Sequence, residues 1–203
     1  MKIDPNNLDV QYSHRLFAAI FVPRPILLIS TISEYGIYNV APFSSVAVVC
    51  LKPRLNGFEI STRRDGSKKD TLCNIEHSQE FVMNTVSENM LEAMNQTSAD
   101  YPPEVDEFKD TGLTPVKAEM VKAPLVGESN INVECRVVQI LEFGEAPRRS
   151  FFIIGEILLV HIKDELLDNG EIRTSQLSAI GRLGEDYYCR TNDMFVIKRA
   201  FNV

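Results

Sequence analysis

The chain is poor in the residue groupings that usually mark a metal or nucleophilic centre. Its four cysteines, Cys50, Cys73, Cys135 and Cys189, lie far apart, and no Cys-x-x-Cys pair occurs. The three histidines, His14, His77 and His161, do not cluster with them. Zinc and iron–sulfur sites need several such ligands at short spacing, so neither is supported. Reduced thiols in the core of a cytoplasmic protein are expected, with one disulfide as the alternative. Also missing are a Gly-x-x-x-x-Gly-Lys loop, a Gly-x-Gly-x-x-Gly fingerprint and a Gly-x-Ser-x-Gly elbow. The two commonest nucleotide folds and the hydrolase elbow therefore lose their motif support. No apolar run approaches the roughly 20 residues that span a bilayer. The N-terminal MKIDPNNLDV lacks the basic-then-apolar order of a secretory signal. A soluble, cytoplasmic chain with no membrane partner is expected. A net charge of -7 leaves no broad basic face for nucleic acid.

What is present points to one β-rich domain over residues 1–203. The chain is 203 residues long and 44% hydrophobic, enough to bury a core, and its 24% of charged residues is ordinary. Tyr12–Ile20 reads as a short helix stopped before Pro23. Ile26–Ile32 is a continuous apolar run ending in hydroxyls, too short for a long helix and expected to be a buried strand. Glu34-Tyr35-Gly36 makes a turn into a return strand at Tyr38–Ala41. Val46–Leu51 and Leu55–Thr62 are further strands, broken by Pro53, with Gly57 marking a bulge or a close backbone approach. Helices are expected at Thr71–His77 and at Ser87–Gln96, the second behind a Ser87 cap, with strand Glu80–Val86 between them.

Thr97–Thr114 reads as a long polar surface loop, a length that usually signals function or mobility. Ile131–Ile140 alternates as a strand with one wet face. Ser150–Ile162 is a long strand interrupted at Gly155-Glu156, and His161 inside it is expected to be a satisfied core histidine. Strands precede and follow a small helical insert without regular β–α alternation. That pattern predicts an antiparallel barrel with peripheral helices.

The strongest local signal is Arg63-Arg64-Asp65-Gly66-Ser67-Lys68-Lys69, four cations in seven residues of an acidic chain. Asp70 and Thr71 then open a helix. Fixed cations beside the positive end of a helix dipole form a place to hold a phosphate. The alternative is a solvated hairpin turn at Asp65-Gly66. Small hydroxyls and amides at strand ends (Ser30, Thr31, Asn39, Ser44, Ser45, Ser61, Thr62) are individually ordinary turn residues. Beside one cationic cup they suit a phosphorylated cofactor with a polar, planar head group.

Several motifs then carry a resemblance. Pro23-Arg24-Pro25-Ile26, Ser30-Thr31, Asn39-Val40-Ala41-Pro42-Phe43-Ser44 and Lys69-Asp70-Thr71-x-x-Asn74-Ile75 stand in the order of flavin reductase-like proteins of the FMN-binding split-barrel superfamily. Phe81–Asn84, Ala93–Ser98, Glu107-Phe108, Gly112–Pro115 and Gly181-Arg182-Leu183-Gly184 continue the match, which covers about residues 12 to 195. The resemblance implies a mainly β, Greek-key split β-barrel with peripheral helices, a homodimer, and bound FMN. It implies an oxidoreductase passing reducing equivalents from NAD(P)H to flavin or another acceptor, or a flavoredoxin-like electron carrier reduced by a redox protein.

Residue by residue, it puts Ser30 and Thr31 along the flavin, and Asn39, Ala41, Pro42, Phe43, Ser44 and Ser45 around its ring. Ser61, Arg63, Lys69 and Thr71 form the phosphate cup. Arg182 and Tyr188 reach the flavin, a neighbouring subunit, or only pack. Flavin carries the redox chemistry itself, so no catalytic triad is implied. Many nicotinamide-using members carry Gly-Asp-His where this chain has Arg148-Arg149-Ser150, and Glu185 stands where a second glycine is common. These departures bear on the electron donor more than on the flavin site.

Overall fold

The computed structural model describes residues 1–198 and 200. Helix α1 (Val10–Ile20) precedes β1 (Arg24–Pro25), β2 (Leu27–Ile32), β3 (Tyr38–Phe43), β4 (Val46–Cys50) and β5 (Leu55–Ser61). Helix α2 (Asp70–Ser78) and β6 (Glu80–Thr85) follow, then α3 (Leu91–Gln96) and α4 (Glu107–Thr111). A short ribbon, β7 (Pro115–Val116) and β8 (Leu125–Val126), leads into the long hairpin β9 (Ile131–Glu145) and β10 (Arg148–Ile162). Another ribbon, β11 (Leu167–Asp168) and β12 (Glu171–Ile172), precedes β13 (Ile180–Arg182) and β14 (Tyr188–Arg190).

Seven strands form one antiparallel sheet in the order β3-β2-β6-β9-β10-β5-β4. Its two edges, β3 and β4, are consecutive in the chain and joined only by Ser44-Ser45. The sheet thus curls until its edges meet through a covalent link, with no ladder between them among the described residues. This is the Greek-key split β-barrel that the resemblance implies.

Inside the barrel, Phe43, Phe58 and Phe81 stack edge to face at centroid distances of 5.2 and 5.3 Å. Each buried aromatic of this kind contributes on the order of 2–3 kcal/mol of hydrophobic stabilisation. Leu72 and Ile75 of α2 add to the same cluster. Outside, β2 and β3 present Leu28 and Val40 to Met90, Met94 and Phe108 of the segment 86–126. Covering β2 on both faces accounts for the unbroken apolar run seen in the sequence.

Several expectations need correction. The outer face of Ile131–Ile140 is not wet at its start, because Glu134 is fully buried under residues 118–121. Glu134 accepts bonds from the amides of Glu119, Met120 and Val121, and lies 2.6 Å from His161 Nε2. Burial drives its carboxyl upward, yet these bonds outweigh that and hold it below the usual carboxylate range. His161 is accordingly satisfied, as expected, but it is half-buried rather than in the core. The Ser87 side chain bonds Asn89 rather than a first-turn amide, and the chain makes a 3₁₀ turn at Glu88–Met90 before α3.

The Thr97–Thr114 loop contains α4, anchored by fully buried Phe108. All four cysteines are unpaired, but only Cys135 lies in the core. Gly57 is a close approach, where a Cβ would meet the Phe152 ring at 2.7 Å.

Gly155 sits at a register shift in β10 and leaves room for Phe81, whose ring would lie 2.5 Å from any added Cβ. Gly155→Ala should lower stability by about 1–3 kcal/mol through overpacking. Urea denaturation measures this, and an unchanged midpoint would show that the aromatic wedge can shift freely.

Candidate functional site

At the break between β3 and β4 the surface opens into a cleft of two adjoining cavities, about 400 and 570 Å³, sharing walls at Pro42, Phe43, Lys69, Arg182 and Asp186. The first is lined by Asn39, Ala41, Arg63, Thr71 and Tyr188 together with the shared residues, and its rim is Thr97–Tyr101. The second adds Ser44, Ser45 and Ser61. Asn39 and Tyr188, 149 positions apart in sequence, are thereby brought to one place.

Ser30 and Thr31 are not among them. Both have no exposed surface. Ser30 donates to the Pro124 carbonyl and accepts from Asn84, while Thr31 donates to Asn39 Oδ1 at 3.2 Å and accepts from Asn74. Thr31 thereby supports Asn39 of the cleft floor from behind, whereas Ser30 ties β2 to the covering segment through Pro124 and Asn84. The physical reason is the double covering of β2, which leaves no side chain of that strand facing the opening.

The cup residues divide in the same way. Arg63 folds back on its own turn, donating to the Lys68 carbonyl and pairing with Asp70 at 2.6 Å. It braces the turn ahead of α2. Thr71 is 2% exposed and donates to Asn39 Oδ1 at 2.9 Å. Lys68 pairs with Glu76 at 2.7 Å.

Lys69 differs: it has no carboxylate within 4 Å among the described residues, and its Nζ stands 5.9 Å over the Phe43 ring. It is also the N-cap of α2, with no side-chain cap bond. A lysine cannot accept from the first-turn amides, so an acceptor there has to come from elsewhere. The bend at Asp65-Gly66 is real, yet Gly66 packs against Pro147, where a Cβ would approach to 2.9 Å. The turn is therefore not merely solvated.

Two residues with a stake in the cleft were not among the candidates. Arg24 on β1 lies directly opposite Arg182 on β13, and both border the 570 Å³ cavity. The Nε of each is buried and without a partner among the described residues. Burial, then the neighbouring Arg182 charge, holds Arg24 below its ordinary pKa. Paired guanidiniums with unspent donors favour an anionic or electron-rich ligand between them. Pro23 and Pro25 flanking Arg24 were the available signal.

The second is Glu107 of α4, 6% exposed at the floor. Its Oε1 accepts from Asn39 Nδ2 at 2.5 Å, and its Oε2 is buried and unpartnered among the described residues. Burial pushes its carboxyl up to about 7, with hydrogen bonds including that from Asn39 opposing and Asp70 adding to the rise. Its place in the matched Glu107-Phe108 motif was the available signal, although nothing in an acidic, polar stretch marks this glutamate as buried. Acceptors also line the cleft: Asp186 in both cavities, and Glu185 and Glu59 in the larger, the last taking a bond from Ser61 at 2.6 Å.

Comparison with known proteins places this geometry. The family model for the flavin reductase like domain matches residues 19–176. An uncharacterised protein of Halalkalibacterium halodurans is 34% identical over 201 residues, 98% of this chain and 96% of that one. Nitrilotriacetate monooxygenase component B from Bacillus cereus superposes with a TM-score of 0.92 at 28% identity, over 97% of this chain and 98% of its own. Pseudomonas fluorescens 2-nitrobenzoate 2-nitroreductase gives 0.90 at 25% identity, over 100% and 98%.

The Glu107 environment sets a sign for stability against pH. An acid whose folded pKa exceeds its unfolded value, here about 7 against 4.5, binds its proton more tightly when folded. Stability is therefore fully retained near pH 4.5 and falls as pH rises through about 7. Glu107→Gln keeps an oxygen for Asn39 and should abolish that fall, gaining on the order of 1–3 kcal/mol at pH 8 and little near pH 4.5. Urea midpoints across this range test it, and a difference independent of pH would reduce Glu107 to packing.

Proposed function

The chain belongs to the flavin reductase like domain family, and from that premise we propose a flavoprotein oxidoreductase that holds FMN in the cleft and passes reducing equivalents from NAD(P)H to flavin or another acceptor. One observation carries this reading. Lys69 at the uncapped start of α2, and the Arg24–Arg182 pair with its unspent donors, converge on the same opening.

The donor set fits FMN. Lys69, the first-turn amides of α2 and Ser61 would hold a phosphate, which supplies the acceptor that Lys69 cannot. Ala41–Ser45, Arg182 and Tyr188 would frame the ring. When bound, the flavin supplies the hydride and electron chemistry. The chain binds, orients and excludes water, and its guanidiniums set a field that favours negative charge on the ligand. Thr97–Tyr101 at the rim would shield the ligand.

The same reading includes a single domain over residues 1–203 in the cytoplasm, in keeping with four unpaired thiols. It also includes a homodimer, supported by exposed apolar side chains at Phe21, Val48 and Leu51, which are 69, 75 and 83% exposed. Among the described residues no helix is long and apolar enough to cross a membrane. A second reading, a flavoredoxin-like carrier reduced by a protein, is favoured by Arg148-Arg149-Ser150 standing in place of Gly-Asp-His.

Lys69→Ala should weaken FMN binding by about tenfold or more, the worth of a charge-assisted contact, and leave the melting temperature nearly unchanged. Titration followed by flavin fluorescence reads this, and full affinity in the folded variant would falsify the cup. Thr71 is the poorer target, since its hydroxyl serves Asn39. Stopped-flow mixing of the FMN-loaded protein with NADH and NADPH then separates the readings. Rapid bleaching is expected of the oxidoreductase, whereas oxidised flavin persisting for minutes makes the protein a carrier.

A further inference from the structure

Beside the cleft lies a third cavity of about 650 Å³, bounded by the start of α1, the end of β5 and the start of β10. Arg15, Arg63, Arg64, Arg148 and Arg149 line it with His14, and none of its lining residues is acidic. In a chain of net charge -7 this is a sharp local reversal. Arg63 is neutralised by Asp70, and Arg149 meets Glu142 at 3.0 Å. Arg15, Arg64 and Arg148 have no carboxylate within 4 Å among the described residues. Arg149 lies 5.7 Å over the Phe151 ring, and its Nε is buried without a partner among the described residues.

The cluster is also built rigidly. The Thr62 amide donates to the Arg149 carbonyl at 2.9 Å, and the Arg149 amide donates to Thr62 Oγ1 at 3.1 Å. Thr62 Oγ1 in turn donates to the Pro147 carbonyl at 2.9 Å. Two arginine-bearing segments distant in sequence are thereby pinned side by side. Like charges held together repel, and a bound anion relieves that repulsion. His14, Arg15 and Ser61 line both this cavity and the 570 Å³ cavity of the cleft, so a ligand can extend from one into the other.

We propose that this cavity takes the phosphomonoester of the electron donor, the 2′-phosphate that distinguishes NADPH from NADH, and so makes the protein selective for the phosphorylated dinucleotide. The inference rests on the donor reading under Proposed function. A phosphomonoester brings close to two negative charges and three acceptor oxygens, which suits several guanidinium forks at once. Arg148 and Arg149 occupy the place where nicotinamide-using relatives are expected to carry Gly-Asp-His. The departure that weakens one route of donor recognition thus supplies another.

The same chemistry has a second source, the phosphate of FMN, and the test separates the two. FMN-loaded full-length protein is titrated calorimetrically with adenosine 2′,5′-bisphosphate and with 5′-AMP, which lacks the 2′-phosphate. The bisphosphate should bind at least tenfold more tightly, and the advantage should shrink as salt rises. In the double variant Arg64→Ser with Arg148→Ser the preference should vanish, while FMN affinity and melting temperature hold.

Equal affinity for the two nucleotides in the unmodified protein overturns the inference and leaves the flavin reading intact. Loss of FMN affinity in the double variant also overturns it, by assigning the cavity to the flavin phosphate. Failure of the unmodified protein to retain FMN at all sinks the flavin reading itself.

Discussion

Ser44 and Ser45 join the two strands that form opposite edges of one sheet, and the cleft exists because that junction is not a ladder. Seven antiparallel strands curl until β3 and β4 approach, driven by burial of Phe43, Phe58 and Phe81 in the interior. The last residue of β3 is itself part of that aromatic wedge, so packing inside and the opening outside are set by the same few atoms. Gly155, at its register shift, gives Phe81 the space that lets the wedge form. A site placed at such a seam has backbone groups not consumed by the sheet and side chains held by the core beneath.

Behind the opening runs a chain of buried hydrogen bonds from Asn74 through Thr31 to Asn39, which also accepts from Thr71 and donates to Glu107. Such a network is stabilising only when satisfied, because the low local dielectric magnifies every unmet group. Among the described residues its unmet oxygen is Glu107 Oε2, and burial of that carboxyl is what raises it to about 7. Side chains that look like ligand contacts in sequence serve here as the scaffold that fixes the residues at the opening. Arg63 plays the same part for the basic turn: it is consumed by Asp70 and leaves the half-buried Lys69 as the cation facing the cleft.

Electrostatically the molecule separates two jobs. Bulk acidity keeps the surface unsuited to polyanions, while arginines from α1, β1, the turn after β5, β10 and β13 collect along one side. These elements are remote in sequence and adjacent only after the sheet closes. The local field therefore has a sign opposite to that of the whole chain, and it extends from the cleft to the neighbouring arginine-lined cavity.

The sequence alone determined the strands, their approximate ends and the membership in a barrel. Apolar alternation, proline breaks and turn residues act over a few positions and do not need the fold to be read. It also determined that a cationic turn precedes a helix. Only tertiary structure decided which cations are spent, that Ser30 and Thr31 are covered on opposite faces of β2, that Arg24 meets Arg182, and that Glu107 and Glu134 are buried. Each of these depends on what another segment places within a few ångströms, and neither burial nor an ion pair is written in the local order of residues.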